Sequence, residues 1–218
     1  LERACLRVMV DPAASVGAAI AAMQCGLRIG TNGTRTNHPD FQDEVLSQLV
    51  SMARMASRTG SIGTKRRALL LCCSLGQCSM SVAESGNSKH HARSLQKVAL
   101  HTLGAGAGAP PPLSPPTPPP PSAAGAAEAG STDTGSSLAG LCIRAIDTLG
   151  TGLLEPGELH AFLAASLASP GDEGHALQVL KTRPHLLECH PDLLTRLIAG
   201  LSTCANVAHA EAVFAMLS

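Results

Sequence analysis

The chain has 218 residues, with 16 basic and 16 acidic side chains and no net charge at neutral pH. That length allows one or two domains with a hydrophobic core of their own. Three Phe and no Tyr or Trp argue against a sheet-rich fold, because strands favour aromatic and β-branched side chains, and against an aromatic platform that stacks nucleic-acid bases.

Residues 1–103 predict an antiparallel array of helices, because apolar residues recur at helical spacing between short polar breaks. The strongest of these helices starts near Asp40 and carries Asp43 and Glu44 in its first turns, where acidic side chains stabilise a helix. Its pairing with the next helix resembles a generic helical-repeat hairpin. The predicted helices are 3–10, 13–25, 40–54, 65–76 and 92–103, and the predicted breaks are 30–36, 58–63 and 85–90.

A basic block lies inside this array. Residues 54–97 carry eight basic side chains and one acidic side chain, so their local net charge is +7. Such a block suits RNA, an acidic protein surface or lipid headgroups, and a solvated face is the alternative. The candidate nucleic-acid contacts are Arg54, Arg58, Lys65, Arg66 and Arg67.

Residues 104–137 predict a disordered, low-complexity linker. Nine of the twelve residues from Pro110 to Pro121 are proline, and Gly, Ala and Ser flank them. Proline runs form stiff polyproline II, and Gly-rich flanks are flexible. The chain is therefore expected to be all-α, with two helical segments, 1–103 and 138–218, joined by this linker.

Residues 147–158, which follow the linker, have the spacing of a calcium-binding loop. Such a loop supplies oxygen ligands from positions 1, 3, 5, 7, 9 and 12. Gly152 stands at position 6, where such a loop turns sharply. Position 3 departs from the pattern, because Leu149 replaces an oxygen-bearing side chain. The candidate ligands, at positions 1, 5, 7, 9 and 12, are Asp147, Thr151, Leu153 (through its carbonyl), Glu155 and Glu158.

Both flanks of this loop predict helices. Residues 138–146 place apolar side chains on one face, and Pro156 fits the first turn of an exiting helix. The unit 138–168 resembles an EF-hand, and the resemblance implies calcium as the ligand. Weak calcium binding and an ion-free hand that keeps only the fold both remain open. If the loop geometry is intact, Leu149→Asp should raise calcium affinity.

Residues 169–218 predict a helix from His175 and then a helical hairpin from Pro191. The hairpin resembles a single pentatricopeptide repeat, a family that binds single-stranded RNA on stacked hairpins. One repeat cannot bury its own apolar face, so an ordinary helical hairpin is the alternative. The matching positions are Leu197-Ile198, Cys204, Asn206-Val207, Ala210, Val213-Phe214 and Met216.

Eight cysteines occur without a C-x-x-C pair, mostly in apolar helical stretches, which favours thiols in a reducing, intracellular compartment such as the cytoplasm or an organelle. His185, Cys189 and His190 have helical spacing for metal ligation, but no fourth ligand follows at a suitable spacing.

No apolar run is long enough to span a bilayer. Because the first residue is Leu1 rather than Met, we expect a fragment or a processed product.

No nucleophile elbow, phosphate-cradling glycine loop or paired helical histidine motif occurs, so the chain is expected to be non-enzymatic. Three functions remain. The first is a helical interaction or adaptor protein with a protein partner and an EF-hand-like calcium module. The second is a helical-repeat protein that binds RNA or serves as an organelle scaffold. The third is a structural fragment of a larger helical protein.

Overall fold

The computed structural model describes residues 2–29, 39–76, 86–107, 137–169 and 171–203. Within these ranges 88% of residues are helical and no strand occurs, which confirms the all-α prediction. The α-helices, in chain order, are α1 (Glu2–Val10), α2 (Val16–Ile29), α3 (Pro39–Thr59), α4 (Ile62–Leu75), α5 (Gly86–Ala107), α6 (Leu138–Leu149), α7 (Pro156–Ala168), α8 (Glu173–Thr182), α9 (His185–Cys189) and α10 (Pro191–Thr203).

The break between α3 and α4 is shorter than the predicted 58–63. Helix α3 continues to Thr59, and the Ser61 hydroxyl then caps α4 by accepting a hydrogen bond from the Thr64 N–H at 3.3 Å. Ser at an N-cap satisfies a backbone donor that has no partner inside the helix. A tight connection of this kind makes α3 and α4 packed neighbours.

Helix α5 is longer at both ends than predicted. It begins at Gly86, inside the predicted polar break 85–90, and it continues through Ala107, four residues into the predicted linker. Its first turn is docked, because the Ser88 hydroxyl donates to the Asp43 carboxylate on α3. Tertiary packing thus overrides the low helix propensity of the Gly and Ser residues that predicted a loop.

Helix α6 lies at the centre of the fold. It packs against α4, α5, α7 and α8, and a helix that is apolar around most of its circumference is expected to be buried in this way. Burial raises the pKa of the Cys142 thiol to about 12, with a further increase from nearby Cys73, so Cys142 serves as a small core side chain. The buried α6 side chains are Leu141, Cys142, Ile143, Ala145, Ile146 and Leu149.

One hydrophobic core includes helices from both sides of the predicted linker. Residues of α1 to α5 and residues of α6 to α10 belong to the same cluster of buried apolar side chains. The linker prediction falls mostly on residues 108–136, which lie outside the described residues. The second helix of the repeat-like hairpin, beyond Thr203, also lies outside them.

Candidate functional site

The structure places the calcium-like sequence between α6 and α7 but gives it a different backbone from the predicted loop. Helix α6 continues to Leu149, so the first three positions of the predicted loop are helical. The left-handed residue is Gly150, with φ of 95°, whereas Gly152 has no positive φ and lies in a short 3₁₀ helix, Thr151–Leu153. The sharp turn predicted at Gly152 therefore occurs at Gly150, which ends α6 as glycine often does.

Leu149, at the position where a ligand was missing, is a core residue. Its side chain is 3% exposed and belongs to the hydrophobic cluster around α6. Because α6 continues through Leu149, position 3 of the predicted loop faces the protein interior, where an apolar side chain is expected. The expectation that Leu149→Asp would raise calcium affinity required an intact loop geometry, and this position does not have that geometry.

Arg93 on α5 holds both glutamates of the predicted loop. One terminal nitrogen of Arg93 lies 2.9 Å from Glu155 Oε1 and also contacts Glu158 Oε2. Glu158 Oε2 additionally accepts a hydrogen bond from the Glu155 N–H at 3.0 Å, at the start of α7. The two carboxylates therefore share a guanidinium cation that comes from a helix before the linker.

The charge states of this ion pair follow from its contacts. Partial burial raises the pKa of Glu158, but the hydrogen bonds from the Glu155 N–H and from Arg93 outweigh it and leave that pKa below its ordinary value. Partial burial likewise lowers the pKa of Arg93, and the bonds to Glu158 and Glu155 outweigh it, so that pKa is raised. Both groups are charged at neutral pH.

Two further contacts fix the remainder of the loop. Gln96, one helical turn after Arg93, donates a hydrogen bond to the Gly150 carbonyl at 2.8 Å. Asp147, the position-1 residue, has its Oδ2 at 2.9 Å from His175 Nδ1 on α8. Helices α5 and α8 thus hold the loop from two sides through its own polar groups.

The predicted calcium ligands are close in sequence but engaged separately. Within the described part of the chain, Asp147, Glu155 and Glu158 do not bring three ligand atoms within 4.8 Å of one another. Thr151 and Leu153 lie half-buried in the 3₁₀ helix. Calcium binding at this loop stays a prediction, and it would require Arg93 and His175 to release the carboxylates.

The five predicted nucleic-acid contacts differ in burial. Arg67 is buried, and one of its terminal nitrogens donates to the carbonyls of Asp11 at 2.8 Å and of Met9 at 3.3 Å, at the end of α1. A cation at a helix C-terminus satisfies carbonyls that have no partner inside the helix. Arg67 therefore joins α4 to α1 and does not lie on the basic surface. Lys65 and Arg66 are half-buried on α4.

Arg54 and Arg58 border an open groove of about 500 Å³ between α3 and α5. Both side chains are exposed, and in the described part of the chain neither forms an ion pair. We call this surface the α3–α5 groove. Its lining residues are Ser47, Val50, Ser51, Arg54, Met55, Arg58, Thr59, His90, His91 and Ser94.

The sequence interpretation missed one feature of this surface and one elsewhere. His90 and His91 fell in or beside a predicted polar break, whereas a helix through Gly86 places them opposite the α3 arginines. His190 was considered together with His185 and Cys189, whereas its neighbours in space are His160 and Asp192. Helical periodicity across Gly86 could have found the first feature. No local spacing connects His160 with His190.

Comparison with known protein families, with curated proteins and with solved structures found no match for this chain. Among the described residues, no helix is both long enough and apolar enough to cross a membrane.

Proposed function

We propose that this chain is a non-enzymatic helical interaction protein, and that the α3–α5 groove binds an acidic segment of a partner protein. The observation that carries the proposal is the pair of exposed arginines, Arg54 and Arg58, which form no ion pair within the described ranges. Arg67, Arg93 and Arg144, by contrast, each donate to a carboxylate or a carbonyl of the fold.

The spacing of the two arginines suits an acidic ligand. Residues four apart on a helix lie on one face, about 6 Å apart along its axis. Guanidinium groups bind carboxylates and phosphates through paired hydrogen bonds, and hydroxyl donors from Ser47, Ser51 and Ser94 line the same groove. Two neighbouring acidic side chains, or one phosphorylated side chain, match this arrangement in charge and in reach.

The groove favours a protein segment over RNA. Met55, which is 59% exposed, adds apolar surface to the groove, and the buried side chain of Val50 contributes to its lining. The chain has no Tyr or Trp on which unpaired bases would stack. Burial of Arg67 also removes one of the five cations that supported the RNA alternative.

In this proposal the EF-hand-like unit 138–168 is a structural joint. Arg93 and Gln96 attach it to α5, and His175 attaches it to α8. Because its carboxylates already have partners inside the fold, the unit connects the helices before the linker to those after it without needing an ion.

Fluorescence anisotropy on the full chain tests the proposal. The probes are a labelled peptide with two adjacent acidic residues, its phosphoserine form, a matched neutral peptide and a single-stranded RNA. We expect the acidic peptides to bind in the micromolar range, and the double variant R54A/R58A to weaken them about tenfold or more. Lys181→Ala, which removes an exposed cation from α8, should leave binding unchanged.

Two results would overturn this assignment. The first is acidic-peptide binding that the double variant leaves unchanged. The second is RNA binding that is stronger than peptide binding and is lost in the same variant, which would restore the nucleic-acid alternative.

A further inference from the structure

Two histidines and an aspartate from separate helical elements converge on one surface. His160 lies on α7, His190 lies between α9 and α10, and Asp192 lies in the first turn of α10. His160 Nε2 is 2.9 Å from Asp192 Oδ2, and the rings of His160 and His190 are 4.6 Å apart and tilted by 45°. The three donor atoms lie within 4.8 Å of one another. We call this group the histidine cluster.

We propose that the histidine cluster is a binding site for a divalent transition-metal ion of the zinc type. A tetrahedral zinc ion holds nitrogen and oxygen ligands at about 2.0–2.2 Å, which puts any two ligand atoms roughly 3.3 Å apart. The three donor atoms of the cluster are at most 4.8 Å apart, and one pair is 2.9 Å apart, so the cluster has about the size that zinc requires. Small rotations of partly exposed side chains would bring the donors into place without movement of the helices.

The donor set selects the class of metal. Imidazole nitrogens suit zinc, cobalt, nickel and copper, whereas calcium and magnesium require a shell of oxygen ligands. Two imidazoles and one carboxylate supply three ligands, which is the number that open zinc sites use. Within the described residues no fourth donor joins the group, and water would complete the coordination.

Access to the cluster is open on the solvent side. The side chains of Asp192 and His160 are 51% and 31% exposed. A hydrogen bond of 2.9 Å joins His160 Nε2 and Asp192 Oδ2. An ion bound to both atoms would displace the proton of that bond, which would leave with solvent or move to His160 Nδ1. The metal would then link α7 to the α9–α10 junction, where α7 and α10 already pack together.

Isothermal titration of the full chain with Zn²⁺, in buffer with a non-thiol reductant, tests this site. We expect one zinc ion to bind in the micromolar range and to raise the melting temperature. His160→Ala and Asp192→Asn should each weaken binding about tenfold or more, since each removes one of three ligands. His185→Ala, an exposed histidine on α9 outside the cluster, should stay within about twofold of the parent chain.

A Co²⁺ spectrum separates the cluster from the cysteines. Exposed Cys189 adjoins His190 and is the obvious competing ligand. Nitrogen and oxygen ligands give weak visible bands without a strong near-ultraviolet thiolate band, and Cys189→Ser should not change this spectrum. Asp192 also stabilises the N-terminus of α10, so circular dichroism must confirm that Asp192→Asn keeps the parent helicity.

Three outcomes would refute the site. They are no Zn²⁺ binding by the parent chain below about 100 µM, unchanged binding in correctly folded His160→Ala and Asp192→Asn, and a thiolate spectrum that Cys189→Ser abolishes.

Discussion

The calcium-like sequence 147–158 presents three carboxylates, and the α3–α5 groove presents two guanidinium groups, yet the fold uses them differently. Asp147, Glu155 and Glu158 each have a partner on another helix. Arg54 and Arg58 face solvent without an acidic partner in the described ranges. All the charged side chains of a motif can therefore be engaged in contacts between helices, whereas unpaired charged side chains on a surface are available to a ligand.

The largest expected effect concerns Leu149→Asp. A carboxylate at this buried position would have no partner in the surrounding apolar cluster, so we expect a loss of about 4 kcal/mol or more in the free energy of unfolding. Thr151→Asp adds the same charge at a half-exposed position two residues later and should change stability by less than about 1 kcal/mol. Urea unfolding measures both variants.

Calorimetry with calcium completes that experiment. If Leu149→Asp kept the parent stability and gained calcium affinity, Leu149 would face the loop interior and the unit would be an ion site in need of one ligand. A folded parent chain that binds calcium in the millimolar range would also contradict a purely structural role for the three carboxylates.

The next largest expected effect on stability distinguishes the buried arginine of the basic block from an exposed one. Arg67→Met removes the hydrogen bonds that the guanidinium donates to the carbonyls of Met9 and Asp11, and we expect it to cost about 2–4 kcal/mol of stability. Arg54→Met should cost less than about 0.5 kcal/mol, because its side chain is exposed. Thermal and urea unfolding of the two variants give the comparison, and equal effects would place Arg67 on the surface together with Arg54.

Helical periodicity predicted most of this architecture. Helical spacing in the sequence puts Phe41, Val45, Leu49 and Met52 on one face of α3; the first three side chains are buried, and Met52 is half-buried. Helix ends were predicted less well. The sequence predicted the end of α6 at residue 146, but α6 extends to Leu149 because α4 and α5 enclose that side chain. Local spacing describes one helix at a time, and it contains no information about which other helices surround that element.

The candidate sites depended on contacts that are distant in the sequence. Arg93 meets Glu155 across 62 residues, and His160 meets Asp192 across 32. The sequence predicted a break between two helices at 147–158, and the structure has a shorter one at 150–155. The partners of the carboxylates in this motif were not predictable from spacing. Composition could give the net charge of residues 54–97, whereas only the packing of α3, α4 and α5 decides which of those cations face solvent.

The smallest expected effect is a dependence of stability on pH through Glu158. The folded pKa of Glu158 lies below its ordinary value of about 4.3, because the Glu155 N–H and Arg93 stabilise the charged form more than burial disfavours it. A lowered folded pKa contributes stability that is fully present above the unfolded pKa. That contribution is lost as the pH falls through the folded pKa, when the folded and unfolded chains bind the same proton.

Urea unfolding between about pH 7 and pH 3 measures this contribution as the difference between the parent chain and Glu158→Gln. The parent should lose more stability over the acidic part of that range. Arg93→Met should reduce the same difference, since the guanidinium is one of the groups that lower the Glu158 pKa, whereas Lys181→Met should preserve it. Parallel curves for the parent and Glu158→Gln would mean that Arg93 does not hold this carboxylate in solution. The loop would then have an uncommitted acidic group, as the groove has uncommitted arginines, and ion binding at Glu158 would regain support.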